Sequence, residues 1–433
     1  MSNYHLWTIG CQMNQAESRR IAGLLAAAGY EDVPRMDEAD IVILNTCVVR
    51  QSAEDRIVGT LGLLAGRKRE QPDLKIAVTG CFTARDRTEL HQRFPQVDLF
   101  FGSGEYSVLS DWLGLPPSPA PEQNGDAACA TRHPLPGNAS AYVPIIQGCN
   151  NFCSYCIVPY TRGREISRTP EDIEREATDL VAGGTRELVL LGQNVDSYGH
   201  DLPGAPSLAD LLERLHAIDG LRRLRFLTNH PKDMSGRLIE TMATLPKVCE
   251  HLDLALQSGD DAILEAMRRG YTAQEFVRLV ENLRQAIPEV SIATDIIVGF
   301  PGESDVQFEH TFALLEQLRF DVVHVAAYSP RPGTLAARRY PDSVPNDVKQ
   351  ERLHRIEGLQ EAVASEINSR YLDREVEVLV EGMRRGRWFG RTRTHKLVFF
   401  AGDGDFAGRM VRVGVTRTSP WALQGGLVYS SIV

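Results

Sequence analysis

A chain of 433 residues, 43% hydrophobic and 24% charged, can bury the cores of two or three domains and is too polar for a membrane protein. Its formal net charge of -10 excludes a protein that coats nucleic acid over its whole surface. The start, MSNYHLWTIGC, lacks a basic region followed by an apolar stretch, and no run approaches the roughly 18 apolar residues of a spanning helix. The expectation is therefore a cytoplasmic protein without membrane contact. There thiols stay reduced, so closely spaced cysteines are better read as metal or cluster ligands than as disulfides.

Residues 1–117 repeat one arrangement three times: an apolar strand-like run with a cysteine just past its end. The runs are LWTIGC, IVILNTC and KIAVTGC, ending in Cys11, Cys47 and Cys81, with helix-like ESRRIAGLLAAAGY and AEDRIVGTLGLLAG between them. Strand-helix-strand alternation predicts a parallel α/β sheet domain. Ligands of such sheets bind outside the carboxyl ends of the strands, where all three cysteines emerge. Residues 118–138, rich in Pro, Ala, Gly and Asn, read as a linker, and Cys129 within them is given no role.

Residues 139–370 contain six strand candidates: YVPIIQ, ELVLLGQN, LRRLRFLT, HLDLALQ, VSIATDIIVGF and VVHVAAYS. Helix starts lie between them, such as Thr169 followed by Pro170. Six strand-helix units predict an incomplete parallel (β/α)6 barrel, whose function collects at the carboxyl ends of its strands. Residues 371–433 read as about five short strands, EVEVLVEG, RWFGRTRT, KLVFFAG, RMVRVGVTRT and GGLVYSSIV, forming a small antiparallel β-barrel. From Tyr371 to Val433 there are ten Lys/Arg and six Asp/Glu, a balance of +4, which leaves -14 for the rest of the chain. Arg384, Arg385, Arg387, Arg391 and Arg393 alternate with Trp388 and Phe389, a mixture that suits phosphate pairing and base stacking. The plainer alternative is a solvated basic face with both aromatics in the core.

The first strand of the second segment runs into QGCNNFCSYCIVPYTRGR, where Cys149, Cys153 and Cys156 stand four and three residues apart. A zinc site would need a fourth ligand and usually shows paired CxxC or a histidine. A cubane iron-sulfur cluster normally takes four thiolates, one per iron, so each three-cysteine set leaves one iron open. At the other strand ends stand Gln193 and Asn194, then Gln257 and Ser258, then Asp295 with Gly299 in a glycine-rich turn. These supply polar atoms for a bound cofactor or serve as ordinary turn and cap residues. Arg162, Arg164 and Arg168 follow the cysteine loop and either guide an RNA backbone or balance cluster charge. His230, before Pro231, either faces the cavity or is structural.

The CxxxCxxC spacing after the strand that opens a six-unit barrel resembles the radical S-adenosylmethionine superfamily. The order of the three segments, together with GCQMNQAES, NTCVVRQSAEDR, GCNNFCSYCIVPYTRGRE, LGQNVDSYG and TDIIVGFPGE, resembles its methylthiotransferases along essentially the full chain, and the tRNA branch of MiaB type in wording. TNHP in place of TSHP, and DLALQSG in place of HLPVQSG, depart from that pattern without touching a cluster ligand.

The resemblance implies two 4Fe-4S clusters, one on Cys149, Cys153 and Cys156 that generates a radical and one on Cys11, Cys47 and Cys81 that holds the transferred sulfur. It implies two S-adenosylmethionine molecules per turnover, with Tyr155 beside the adenine and Gln193, Asn194, Gln257, Ser258, Asp295 and Gly299 as candidate contacts. The terminal barrel becomes a TRAM domain that binds RNA, with Arg162, Arg164, Arg385, Arg387, Arg391 and Arg393 as candidate contacts. The implied reaction adds a methylthio group at C2 of an N6-isopentenyladenosine beside the tRNA anticodon. A positioned base contributes only about 10²–10⁴-fold, too little for an aromatic C–H, so a reactive cofactor must carry the step. The anticodon loop presents its bases single-stranded, where exposing one is cheap. A monomer is expected, with sulfur source and electron donor open. The rivals are threonylcarbamoyladenosine in tRNA, an aspartate of a ribosomal protein, and a non-catalytic iron-sulfur RNA-binding protein.

Overall fold

A computed structural model describes residues 2–48, 51–115 and 139–428, so the expected linker and Cys129 lie outside the described residues. By packing, the chain divides into two compact units. One comprises Met1–Leu135, Ile146–Asn150 and Ile157–Arg168; the other comprises Pro136–Ile145, Asn151–Cys156 and Thr169–Val433.

The first unit is built on a five-stranded sheet in the order Glu31–Asp32, Asn3–Thr8, Ile41–Thr46, Lys75–Gly80, Leu99–Phe100, with every pair parallel. Successive side chains of a strand point to opposite faces, and here they enter two separate cores. Val42, Leu44, Ile76 and Val78 pack with Ile57 and Leu61 of the helix Gln51–Glu70. Ile41, Ile43 and Ala77 pack with Ile21 and Leu25 of the helix Gln12–Ala27. Both faces are covered, which explains why Ile41–Thr46 is buried throughout. Three of the five strands are legible in the sequence; Glu31–Asp32 and Leu99–Phe100 have two residues each and carry no periodicity.

The second unit holds the expected parallel strands in sequence order. Ser140–Pro144, Glu187–Leu191 and Arg223–Phe226 form one sheet, and His251–Asp253, Ser291–Val298 and Val322–Ala327 form the next. Parallel bridges Leu224–Val248 and Asn229–Leu254 join them into one open barrel wall. The connecting helices start where capping chemistry demands. Thr169 accepts from the Asp172 amide with Pro170 in the first turn, and Ser207/Asp210, Thr272/Glu275 and Ser304/Gln307 form reciprocal capping boxes.

The carboxyl-terminal strands Glu375–Arg384, Arg387–Arg391, Leu397–Ala401, Met410–Thr418 and Leu423–Leu427 close a barrel around Val378, Val380, Trp388, Phe400 and Val413. One detail corrects the antiparallel expectation: Leu397–Ala401 pairs with Leu423–Leu427 in parallel. Direction cannot alternate all the way around a closed ring of five strands, so one pair must run parallel.

Candidate active site

In the first unit the three dispersed cysteines stand where the sheet delivers them. Cys47 follows Thr46 and Cys81 follows Gly80 directly, on neighbouring strands, and both are buried. Cys11 lies just past Thr8 of the next strand and is exposed at the start of the helix Gln12–Ala27, its thiol donating to Asn14 Oδ1 at 3.3 Å. Asn14 is fixed in turn: it donates to Asn45 Oδ1 at 2.7 Å and the Thr46 carbonyl at 3.1 Å, while Asn45 returns a bond to the Asn14 carbonyl at 2.8 Å. This buried pair ties the base of the Cys11 loop to the strand that ends at Cys47. Gly80 makes the close approach possible, since its φ is +91° and a Cβ there would lie 2.2 Å from the Thr46 carbonyl oxygen.

Arg162 enters the same unit with the segment Ile157–Arg168. Its Nε–H donates to Cys81 Sγ at 3.3 Å and its Nη1 to Glu17 Oε1 at 2.8 Å, with the side chains 2% and 8% exposed. Burial pushes the Cys81 thiol pKa up and the guanidinium pulls against it. Burial alone would lower the Arg162 pKa, yet the charges of Glu17, Cys81 and Cys11 raise it, so Arg162 is a fixed cation. Arg162 is thus not an exposed phosphate contact, which corrects the RNA expectation for this residue. Cys149 sits on a ribbon where Ile146–Gln147 pairs antiparallel with Ile166–Ser167, and its amide donates to the Gly163 carbonyl at 3.2 Å. Arg164 on that ribbon is exposed, with Nη1 3.5 Å from Asn150 Oδ1.

In the second unit, Ser154 anchors the stretch carrying Cys153 and Cys156. Its amide donates to the Met267 carbonyl at 2.9 Å and its hydroxyl to the Ala266 carbonyl at 2.7 Å. Arg269, 4% exposed, extends Nη1 to Cys153 Sγ and to the Tyr155 hydroxyl, both at 3.4 Å, while Nη2 donates to the Ala255 carbonyl at 2.7 Å. Tyr155 packs against Ile263, Met267, Phe300, Tyr328 and Ala336, and burial pushes its pKa up.

At the strand ends, Asn194 Nδ2 donates to Asp233 Oδ2 at 2.7 Å, leaving Asn194 Oδ1 buried without a partner. Asp196 accepts from Asn229 Nδ2 at 2.6 Å and from the His230 amide at 2.8 Å, and burial raises its pKa to about 7. His230 is buried, with its pKa lowered to about 2 by burial and by Arg269 and Lys232. Its neutral ring accepts from the Lys232 amide through Nδ1 at 3.3 Å and keeps a buried, unpartnered Nε2. Gln193 is half-buried just past the strand Glu187–Leu191, and Asp295 is the exposed residue of the otherwise mostly buried strand Ser291–Val298. Gln257 holds φ +72°, a strained value of the kind that clusters at functional sites, with its amide on the Asp295 carbonyl at 2.8 Å.

Two cofactor candidates have other work. Ser258 is fully buried, with its hydroxyl 3.3 Å from Thr311 Oγ1 and accepting from the Asp260 amide at 3.2 Å. Gly299 lies where a Cβ would meet the Lys349 side chain at 2.3 Å, and its amide donates to Glu303 Oε2 at 2.6 Å. Both hold the turns they occupy.

The terminal barrel sorts its arginines in the same way. Arg385 and Arg387 are exposed at the hairpin turn, with Arg384 beside them. Phe389 is half-buried with its ring centroid 6.2 Å from that of Phe399, whereas Trp388 lies in the barrel core. Arg391 pairs with Glu381 at 3.2 Å. Arg393 pairs with Glu250 at 2.6 Å and donates to the Val248 carbonyl at 2.6 Å, so it ties the terminal barrel to the segment before His251. Arg223 and Arg225, not singled out in the sequence, complete that docking by reaching the backbone carbonyls of Arg391, Thr392 and Arg393 at 2.6–2.7 Å. Their signal is the i, i+2 spacing in LRRLRFLT, which puts two cations on one face of an apolar strand.

Among the described residues no three His, Cys, Asp or Glu side chains are close enough to hold a single metal ion. All seven described cysteines are free of disulfides. The donor set fits an iron-sulfur group: thiols on ordered backbone, with buried arginine donors beside Cys81 and Cys153.

The fold and its cysteines define a radical S-adenosylmethionine protein. The family model described as the radical SAM superfamily matches residues 143–315, that of uncharacterized protein family UPF0004 matches 3–102, and that of the TRAM domain matches 369–428. The structure resembles TsrM, a radical S-adenosylmethionine methyltransferase from Kitasatospora setae, with a TM-score of 0.57 at 15% identity over 78% of this chain and 74% of that one. It also resembles the cobalamin-dependent radical enzyme OxsB, with a TM-score of 0.52 at 12% identity over 82% and 56%. At those identities the likeness is one of fold.

The sequence goes further. It is 50% identical over 99% of both chains to the tRNA-2-methylthio-N(6)-dimethylallyladenosine synthase of Dehalococcoides mccartyi strain CBDB1. It is 47% identical to the protein of that name from Roseiflexus sp. strain RS-1, over 99% of this chain and 90% of the relative. The chain belongs to the tRNA-2-methylthio-N(6)-dimethylallyladenosine synthase family.

Proposed function

We propose that this protein adds a methylthio group to C2 of N6-isopentenyladenosine next to the tRNA anticodon, working in the cytoplasm with S-adenosylmethionine and two iron-sulfur clusters. The observation that carries the reading is the 50% identity over 99% of both chains to a relative bearing that enzyme's name. Among the described residues no helix is long and apolar enough to cross a membrane.

Cys149, Cys153 and Cys156 would hold the radical-generating cluster, and Cys11, Cys47 and Cys81 the auxiliary one. The clusters and S-adenosylmethionine supply the radical and sulfur chemistry that no side chain can provide. The protein's own groups orient and shield. Tyr155 offers an aromatic ring on an apolar bed, suited to the cofactor's adenine. Asn194 Oδ1, an acceptor, and His230 Nε2–H, a donor, are held in place by their neighbours and left open for complementary groups on a bound molecule. Asp196 fixes the His230 backbone, so the position of that donor is set before anything binds. The exposed Arg385 and Arg387, with Arg384 beside them, suit phosphates of the tRNA backbone.

Nucleoside mass spectrometry of tRNA from a strain lacking this protein, before and after its restoration, tests the reading. Loss and recovery of a methylthiolated isopentenyladenosine is the expected result. Loss of the threonylcarbamoyl form, or an unchanged nucleoside profile, overturns it.

A further inference from the structure

The auxiliary cysteines have a neighbour that binding alone does not require. Arg162 buries a guanidinium within the first unit, 3.3 Å from Cys81 Sγ, and pairs it with the carboxylate of Glu17. Burying an ion pair is costly, and replacing it with apolar residues is often neutral or stabilising, so its presence calls for a role beyond stability. The pair is also incomplete. Arg162 Nη2 and Glu17 Oε2 are buried with no partner, although Arg162 Nε and Glu17 Oε1 are both engaged. A hydrogen-bond donor and two opposite charges thus stand beside one cysteine sulfur, with bonding capacity in reserve.

Hydrogen bonds to the sulfurs and local net charge are among the factors that set an iron-sulfur potential. Arg162 supplies one such bond, and Arg162 and Glu17 supply charges of opposite sign. We infer that Arg162 and Glu17 are a matched pair of positioning residues that set the reduction potential of the cluster on Cys11, Cys47 and Cys81. Arg162 acts through Cys81 and makes electron uptake easier; Glu17 acts through Arg162 and restrains that effect. The assignment rests on the two-cluster reading above.

The parts are arranged to hold this geometry. Cys81 begins a short 3-10 turn, Cys81–Ala84, and Thr83 pins it with a single hydroxyl proton shared between the Gly80 carbonyl at 2.8 Å and the Phe101 carbonyl at 2.9 Å. The side chain of Glu17 also accepts from the Ser103 hydroxyl, so the carboxylate is held from two sides.

The test uses the full chain with Cys149, Cys153 and Cys156 replaced by alanine, so that only the auxiliary cluster forms on anaerobic reconstitution. Its midpoint potential is then measured by redox titration followed by electron paramagnetic resonance. Arg162→Gln should shift the midpoint negative by at least a tenfold change in the reduction equilibrium, about 59 mV for a one-electron couple. Glu17→Gln, which leaves the arginine in place, should shift it positive. Opposite signs cannot come from general loosening of the fold. If Arg162→Gln fails to load iron, the sign of the Glu17→Gln shift decides alone. Unchanged midpoints, or shifts of the same sign, overturn the inference. A parent chain that binds no iron in this background instead overturns the two-cluster reading, and the inference with it.

Discussion

Arg225 donates from Nη2 to the Thr392 carbonyl at 2.6 Å, so a cation on a strand of the (β/α) wall holds the backbone of the terminal barrel. The same guanidinium pairs with Glu187 through Nε at 2.7 Å, both side chains being buried. Arg225→Met should therefore cost about 3–5 kcal/mol, because it strands the Glu187 carboxylate in the interior. Urea unfolding should show the loss, and trypsin should cleave near Tyr371 faster than in the parent. Adding Glu187→Gln should recover part of the stability by removing the stranded charge. A double variant no better than the single would mean that the missing hydrogen bonds to the barrel carbonyls, and not the carboxylate, dominate.

The terminal arginines separate into two groups with different readouts. Arg385 and Arg387 are exposed, whereas Arg393 is held by Glu250. Replacing Arg385 or Arg387 by alanine should weaken tRNA binding and reduce the slope of log affinity against log salt by about one for each phosphate that loses its arginine. Arg393→Ala should lower stability by about 1–2 kcal/mol, through the freed Val248 carbonyl and Glu250, and leave that slope unchanged. Filter binding at several salt concentrations, alongside thermal melts, distinguishes them. A slope altered by Arg393→Ala would return that residue to the RNA surface.

Asp196 and His230 oppose each other in pH. The Asp196 carboxyl is raised from 3.8 to about 7, so folding takes up its proton between those values and stability falls as pH rises through that window. His230 is lowered from 6.5 to about 2, so its contribution is present above 6.5 and lost as pH falls toward 2. Between about pH 4 and 6.5 the two slopes cancel. His230→Gln should uncover the Asp196 slope, a loss of about 1.4 kcal/mol per pH unit on going up, and Asp196→Asn the opposite slope. Urea midpoints at pH 5.0, 5.75 and 6.5 measure both. Parallel profiles for the two variants would refute the pairing.

What the sequence reveals and what it hides follow one rule. Period, spacing and turn chemistry are local, and they locate the three cysteine-bearing strands, the six barrel strands and the five strands of the terminal barrel. Side-chain destination is not local. Arg162 and Arg393 carry the composition of phosphate contacts, but their partners Glu17 and Glu250 lie about 145 residues away, and the first of these pairs is buried. Ser258 resembles a cofactor contact because it follows the strand-like run HLDLALQ, yet the same position lets it accept the Asp260 amide as the next helix begins. The parallel closing pair is implicit in the strand count, since five strands cannot alternate around a ring.

Gly80 gives the most direct test of the cysteine geometry. Its φ of +91° is costly for any side chain, and a Cβ would stand 2.2 Å from the Thr46 carbonyl oxygen and 2.7 Å from its nitrogen. Both obstacles are backbone of the neighbouring strand, which cannot give way without moving Cys47 as well. Gly80→Ala should destabilise the protein by about 2–4 kcal/mol, combining dihedral strain and overpacking. It should also reduce the iron bound after reconstitution toward the level of Cys81→Ala. Gly59→Ala, in the helix Gln51–Glu70 with nothing within 4 Å of its added carbon, is the matched control and should be neutral or stabilising by up to about 1 kcal/mol. Iron content and melting temperature measured on the three variants decide the matter. A Gly80→Ala protein that melts with the parent and binds full iron would show that the sheet tolerates the extra carbon, and that the spacing of Cys47 and Cys81 does not depend on this approach.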